Sequence, residues 1–225
     1  MQSILNPPLP FENLSKPLQT MINEKAEVLI LKKGEDSFLS EEFMKYVYVI
    51  QKGKLKSYQL NLDTGKEQIL YIYKNNMIVD TITILDGEEH DVCYEVLEDC
   101  KVMVLSISFI RELLYNYPEF SQKFFLYISK QMRYLEEMLT DISLYSTSER
   151  LIKLIIQDYN KENLFRFNIL EGLSHSETAK LLGTVRHVVE RHLKELKRDN
   201  LIDVVKRKIQ IKDANLLLDK IHLLT

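Results

Sequence analysis

Cysteine is scarce in this chain, with Cys93 and Cys100 the only two in 225 residues. Two are too few for a disulfide framework, and bridging a pair this close would clip little, so a reducing cytoplasm is the simple reading. Two thiolates also fall short of the four that an iron–sulfur cluster takes, which speaks against such a cluster in a single subunit. Long apolar runs are missing too. No stretch approaches the ~20 residues of a membrane span, and Met1–Glu12 lacks the charged and apolar regions of a signal peptide. A soluble cytoplasmic protein with no membrane partner is expected. There is no His-x-x-x-His metal pair, Gly-rich phosphate loop or nucleophile motif, so the chain does not read as an enzyme. Cations are absent from one long stretch: between Asn75 and Cys100 there is neither Lys nor Arg, while Asp80, Asp86, Glu88, Glu89, Asp91, Glu95, Glu98 and Asp99 all fall there.

The net charge of −3 hides an asymmetry. Tyr145–Thr225 holds 15 basic and 11 acidic residues, leaving +4 there and −7 over the remainder. A basic C-terminal part behind an acidic N-terminal part fits contact with nucleic acid at one end only.

Met1–Pro10 carries three of the five prolines and reads as an irregular arm, with a short helix within Phe11–Asn23. Strand-like runs follow at Val28–Leu31, Tyr46–Ile50, Leu55–Leu60, Gln68–Tyr73, Tyr94–Leu97 and Lys101–Leu105. Turn signals at Lys33-Gly34-Glu35, Lys52-Gly53 and Asp63-Thr64-Gly65 separate several of them. Many short strands with tight turns predict an antiparallel barrel or jelly roll, for which a lectin-like or cupin-like module is equally compatible. Ile107–Tyr115 reads as a helix. Pro118, suited to a first helical position, opens a longer one running to Leu144. Along it Phe124, Ile128, Met132, Leu135, Leu139 and Ile142 are spaced 4, 4, 3, 4 and 3. That is close to a coiled-coil seam and predicts a parallel homodimer; the competing reading is one face packed on the chain's own barrel. Met132 and Met138 would let such a seam adjust between two packings.

Ser146-Thr147-Ser148-Glu149 has capping-box spacing and marks the start of a C-terminal domain, with an amphipathic helix through Leu151, Leu154, Ile155 and Tyr159. Phe165–Ile169 alternates like a short strand. Leu173–Ile202 then reads as helix, tight turn and helix. Ser174 and Glu177 form a second capping box, Gly183 permits the positive φ that ends the first helix, and Thr184 is placed to cap the second. Val189, Leu193 and Leu196 make the inward stripe of that second helix, with His192 partly buried beside it. Arg186, His187, Glu190, Arg191 and Lys194 fall on another stripe. Two arginines, a histidine and a carboxylate suit base edges in a major groove, where Arg takes guanine and Glu accepts from cytosine; the bland alternative is a solvated helix face. Asp203–Val205 and Lys208–Ile211 are strand-like, and Lys206, Arg207 and Lys208 at their turn would touch phosphate as a basic wing, or serve only solubility. A short amphipathic helix closes the chain.

LLGTVRHVVERHLKELKRDNLI resembles the recognition segment of the Crp/Fnr family of bacterial transcription regulators, and YVYVIQKGKLKSYQLNLDTGKEQILYIY resembles that family's cyclic-nucleotide-binding barrel. Leu29 to Ile211 can be laid along the family's plan. The resemblance implies an α+β fold: an N-terminal antiparallel β jelly-roll or barrel (1–116), a long dimerisation helix (117–145) and a C-terminal winged helix-turn-helix (146–225). It implies a homodimeric, sequence-specific regulator on a pseudo-palindromic double-stranded DNA site, with RNA polymerase as a partner if it activates. Arg186 and Arg191 match base-reading positions. The family's Glu after the first Arg is His187 here, and a Gly or Ser position is Glu190, so a different half-site is expected. Ser174, His175, Thr184 and Lys194 are the expected phosphate contacts.

The effector pocket implied by the resemblance involves Met77, Asp80, Thr81, Asp91 and Val92. Where cyclic-nucleotide binders carry Gly-Glu and Arg-Ser, this chain has Val79-Asp80 and Asp91-Val92. A carboxylate facing a phosphate repels it, so cyclic AMP or GMP is not expected in the family's usual mode. No cofactor is expected. His90, the only histidine of the sensor half, reads as a solvated loop residue ahead of a haem ligand, and the two cysteines as small hydrophobes ahead of a redox pair. A ligand-binding regulatory protein acting through protein–protein contacts is the alternative function.

Overall fold

A computed structural model describes residues 10–34, 40–205 and 208–222. Two compact units divide the chain. One comprises Pro8–Asp63 and Leu70–Met132; the other takes Thr64–Ile69 and everything from Arg133.

The first unit begins with α1 (Lys16–Lys25), which buries Leu18 and Ile22. Its strands are β1 (Glu27–Leu31), β2 (Tyr46–Leu60), β3 (Glu67–Tyr73) from Leu70 onward, β4 (Ile78–Val79) and β5 (Cys93–Ser106). They form one sheet in the order β1-β5-β2-β3, with β4 also on β2. The antiparallel β2/β5 pair dominates, running from Tyr46↔Ser106 to Tyr58↔Cys93. The Lys52-Gly53 turn expected from sequence is not a turn. Both strands continue past it, with register shifts between Ile50 and Leu55. Gly53 has φ +97°, and a Cβ there would lie 2.4 Å from the Asp99 carbonyl oxygen. The glycine thus admits a β-bulge, which bends and twists the pair without ending it. Short helices α2 (Ser40–Phe43), α3 (Thr81–Asp86) and α4 (Ile107–Asn116) complete the unit, the last capped by Ser106 Oγ accepting from Phe109 N.

Helix α5 (Pro118–Leu144) starts at the proline, as the sequence predicts, and is divided between the units at Met132. Its inner stripe is Phe124, Tyr127, Gln131 and Tyr134, all buried. The Tyr127 hydroxyl donates to the Ile78 carbonyl at 3.1 Å and accepts from the Ile78 N–H at 3.2 Å, pinning α5 to β4. Complete burial drives the Tyr127 phenol well above its ordinary pKa, so it stays a neutral donor.

The second unit holds α6 (Thr147–Asp158), α7 (His175–Leu181), α8 (Arg186–Arg198), the hairpin β6 (Ile202–Val205)/β7 (Lys208–Ile211), and α9 (Ala214–His222). The Ser146–Glu149 capping box forms in both directions. Leu151, Ile152, Ile155, Val189, Leu196, Ile202 and Leu217 build the core. The strand expected at Phe165–Ile169 is absent: Phe165 to Asn168 lie in turns and Ile169 in no regular element. Consecutive Phe165 and Arg166 are both buried, which no half-buried strand allows, and Asn168 takes φ +52° while its N–H bonds to the Asp158 carbonyl.

Candidate nucleic-acid interface

The turn between α7 and α8 is made by Gly183 at φ +66°. Ser174 Oγ accepts from Glu177 N at 3.1 Å and so caps α7. The reciprocal half of the expected box differs: the Glu177 carboxylate accepts a hydrogen bond from the Ser174 hydroxyl. That engages the hydroxyl counted on for phosphate. Thr184 does not cap α8. The N-cap is Val185, and the Thr184 N–H instead bonds to the Ala179 carbonyl at 2.9 Å, closing the α7 terminus. On α8, Val189, Leu193 and Leu196 are buried as expected. His192 is mostly buried and bonds Glu195 at 3.0 Å.

Outward from this core, α8 carries Arg186, Glu190, Lys194, His187 and Arg191 on one continuous arc, following 3.6 residues per turn. All but the half-buried Glu190 are exposed. Arg186 Nε donates to Glu190 Oε1 at 2.7 Å, and His175 Nδ1, at the first residue of α7, lies 3.3 Å from the same oxygen. These two bonds hold the Glu190 carboxyl below its usual range, Arg186 contributing more. The wing hairpin forms with Val205 opposite Lys208, and the Tyr159 hydroxyl donates to the Ile209 carbonyl from α6's end. Lys208 is half exposed, 3.8 Å from Glu171; Lys206 and Arg207 lie outside the described residues.

On α5, Phe124 is not available to a partner. It is fully buried beside Phe120, which in turn meets Phe11. Its neighbour Phe125 is exposed instead, with Met132, Leu135, Leu139 and Ile142, while Ile128 is half-buried. With Phe125 leading, the spacing becomes 3, 4, 3, 4, 3, which is the heptad rhythm without its irregularity. Extending that rhythm back from Ile128 would have found Phe125 in the sequence.

In the sensor region Met77, Asp80, Thr81 and Val92 are buried and Asp91 is exposed. Asp80 takes φ +51° and accepts from Thr83 Oγ1 at 2.7 Å, with His90 Nδ1 at 2.8 Å. Thr81 Oγ1 donates to Gln131 of α5 at 2.6 Å. Asp91, at the position of the family's Arg, brings a negative charge that does not fit the anionic phosphate of a cyclic nucleotide. Hydrogen bonding to Asp80 raises the His90 pKa against the opposing effect of burial, with the charges of Asp80, Asp86 and Asp91 adding. A pKa raised on folding stabilises the fold fully below about pH 6.5 and ceases to do so as pH rises through the raised value. The melting-temperature gap between the parent and His90→Ala should therefore be widest in acid and close in alkali; a gap independent of pH from 5.5 to 9 would remove the ion pair. The cysteines make no intramolecular redox pair. Seven residues apart on one strand they are separated by roughly 20 Å, and burial pushes the Cys100 thiol up to about 11.

A paired-helix reading unit with a β-hairpin wing, in a chain that also carries an antiparallel sensor sheet and a long helix, defines a winged helix-turn-helix DNA-binding regulator. The Crp-like helix-turn-helix domain model matches residues 149–220, and the cyclic nucleotide-binding domain model matches residues 28–117. The chain belongs to the Crp/Fnr family of transcription regulators. It is 25% identical over 186 residues to the transcriptional activator protein Anr of Pseudomonas protegens, covering 81% of this chain and 75% of that one. It is 24% identical over 204 residues, 91% of each chain, to the probable transcriptional regulator flp of Lacticaseibacillus casei. Among solved structures, a CooA mutant from Carboxydothermus hydrogenoformans aligns with TM-score 0.75 at 18% identity, over 98% of this chain and 96% of that one. FixK2 from Bradyrhizobium japonicum aligns with TM-score 0.73 at 20% identity, over 86% and 96%. No helix among the described residues is long and apolar enough to cross a membrane.

Proposed function

We propose that this regulator acts as a homodimer, joined along Phe125, Ile128, Met132, Leu135, Leu139 and Ile142, on a pseudo-palindromic site with half-sites ~34 Å apart. Arg186 and Arg191 reach base edges, with His187 and Glu190 on the same face. His175, Lys194 and the wing meet phosphate. The observation that carries this reading is the exposed charged arc on α8, held outward by a fully apolar stripe on the opposite side. The protein performs no catalysis of its own, and its sensor domain works without a cyclic nucleotide in the family's usual mode, since Asp91 stands where the family's Arg would be needed. Arg186→Ala should cost about 1–3 kcal/mol on a selected operator and far less on random duplex. Fluorescence anisotropy with both duplexes over a salt series tests this; equal losses on both would reduce Arg186 to a phosphate contact, and no binding to any duplex at low salt would remove the DNA reading.

A further inference from the structure

Arg186 and Glu190 form more than a surface ion pair. An exposed pair one turn apart is worth little to stability, so its placement in the middle of a DNA-reading face calls for another account. Glu190 occupies the side edge of the guanidinium, bonding Nε at 2.7 Å. The terminal nitrogens make no other bond among the described residues and point from a side chain that is 69% exposed. Arg meets guanine O6 and N7 with two donors, and occupying Nε leaves the two terminal nitrogens as the pair that can do so. The carboxylate is itself braced from a second helix, because His175 Nδ1 reaches Oε1 from the start of α7. Its negative charge would repel the phosphates of any duplex. It sits among Arg186, Arg191 and Lys194 and weakens binding to all DNA regardless of sequence. That cost is compensated only where Arg186 finds its base.

We infer that Glu190 is a positioning residue for Arg186: it fixes the end-on presentation of the guanidinium, trading general DNA affinity for discrimination at the base pair Arg186 reads. The inference rests on Arg186 being a base reader, as proposed above. Glu190 is then specificity-determining without being the group that reads.

The full-length protein is used to select a preferred site from a random-core duplex library, and affinities are measured on duplexes carrying each of the four bases at each half-site position. Arg186→Ala should flatten preference at one position. Glu190→Gln should flatten preference at that same position, by about tenfold, while binding to random duplex tightens and its salt dependence steepens. Glu190→Asp separates geometry from charge. The shorter carboxylate should lose the same position-specific preference yet leave affinity for random duplex at the parent's level. Circular dichroism melts confirm that these substitutions leave the fold intact. Flattening by Glu190→Gln at a different position would make Glu190 a reader in its own right, and no flattening would make the pair a solvated contact; either overturns the inference. If Arg186→Ala flattens no position, the failure lies instead in the base-reading role of Arg186.

Discussion

The double variant Leu135→Glu/Leu139→Glu is expected to sediment at half the mass of the parent and to lose about 100-fold or more in operator affinity. Leu135 and Leu139 are 37% and 68% exposed in the single chain, so neither charge disturbs the chain's own core. In a parallel seam the same residues face their copies, placing four carboxylates in an apolar interface that would have to be desolvated. The dimer is lost while the subunit keeps its fold. Affinity falls because two reading helices on one body bind two half-sites as a linked event, and that linkage alone is worth 10²–10⁴-fold. Unchanged far-ultraviolet dichroism alongside a halved mass would distinguish this from misfolding. A parent protein already sedimenting as a monomer, or a variant dimer of normal affinity, would move the interface elsewhere.

Much of this molecule was legible in the sequence because its signals are local. Pro118 opens α5, Ser146 and Glu149 cap α6 reciprocally, Gly183 turns the chain between α7 and α8, and Val189, Leu193 and Leu196 sink into the core as their spacing requires. The misreadings share another cause. Phe124 and Phe125 are adjacent and chemically identical, and a 3.6-residue period tolerates either as the start of the seam. The strict heptad rhythm favours Phe125, and what holds Phe124 inward is Phe120 and, beyond it, Phe11, more than a hundred residues earlier. Gly53 reads as a turn in the sequence because glycine permits one; the Asp99 carbonyl across the pair makes it a bulge. Phe165–Ile169 alternates, but Arg166 is drawn inward by a carboxylate 25 residues earlier. The Asp80–His90 and His175–Glu190 contacts follow no periodicity, spanning ten and fifteen residues of chain. Periodicity and capping report on one element at a time, whereas these sites depend on which elements meet.

Asp141 is the clearest residue of that second kind, and its removal should destabilise the C-terminal unit by about 3–5 kcal/mol. It lies on α5 at 4% exposure, between the seam residues Leu139 and Ile142 in sequence but turned inward. Its two oxygens take Lys153 of α6 and, at 3.3 Å, Arg166. Lys153 keeps a second partner in the Tyr145 ring, 3.9 Å away, and is partly exposed. Arg166 has no such relief. It is 3% exposed, and among the described residues its Nε has no hydrogen-bond partner and its charge meets, besides Asp141, only the Tyr134 ring, at 5.1 Å. Asp141→Ala would thus leave a buried guanidinium without a counter-charge, the costly way to break a buried pair. Removing both partners should be far milder: Asp141→Ala/Arg166→Met should recover most of the loss, because no fully buried charge is left unpaired, Lys153 being partly exposed, and the Met stem still fills the space beside Tyr134 and Phe165. Urea denaturation of the single and double variants measures the difference as a shift in midpoint at constant slope. A double variant no more stable than Asp141→Ala would show that Asp141 serves through Lys153, or through packing of α5 itself. The same substitution should also weaken dimerisation, since Leu139 and Ile142 flank Asp141 and depend on it to hold the last turns of α5 in register with α6.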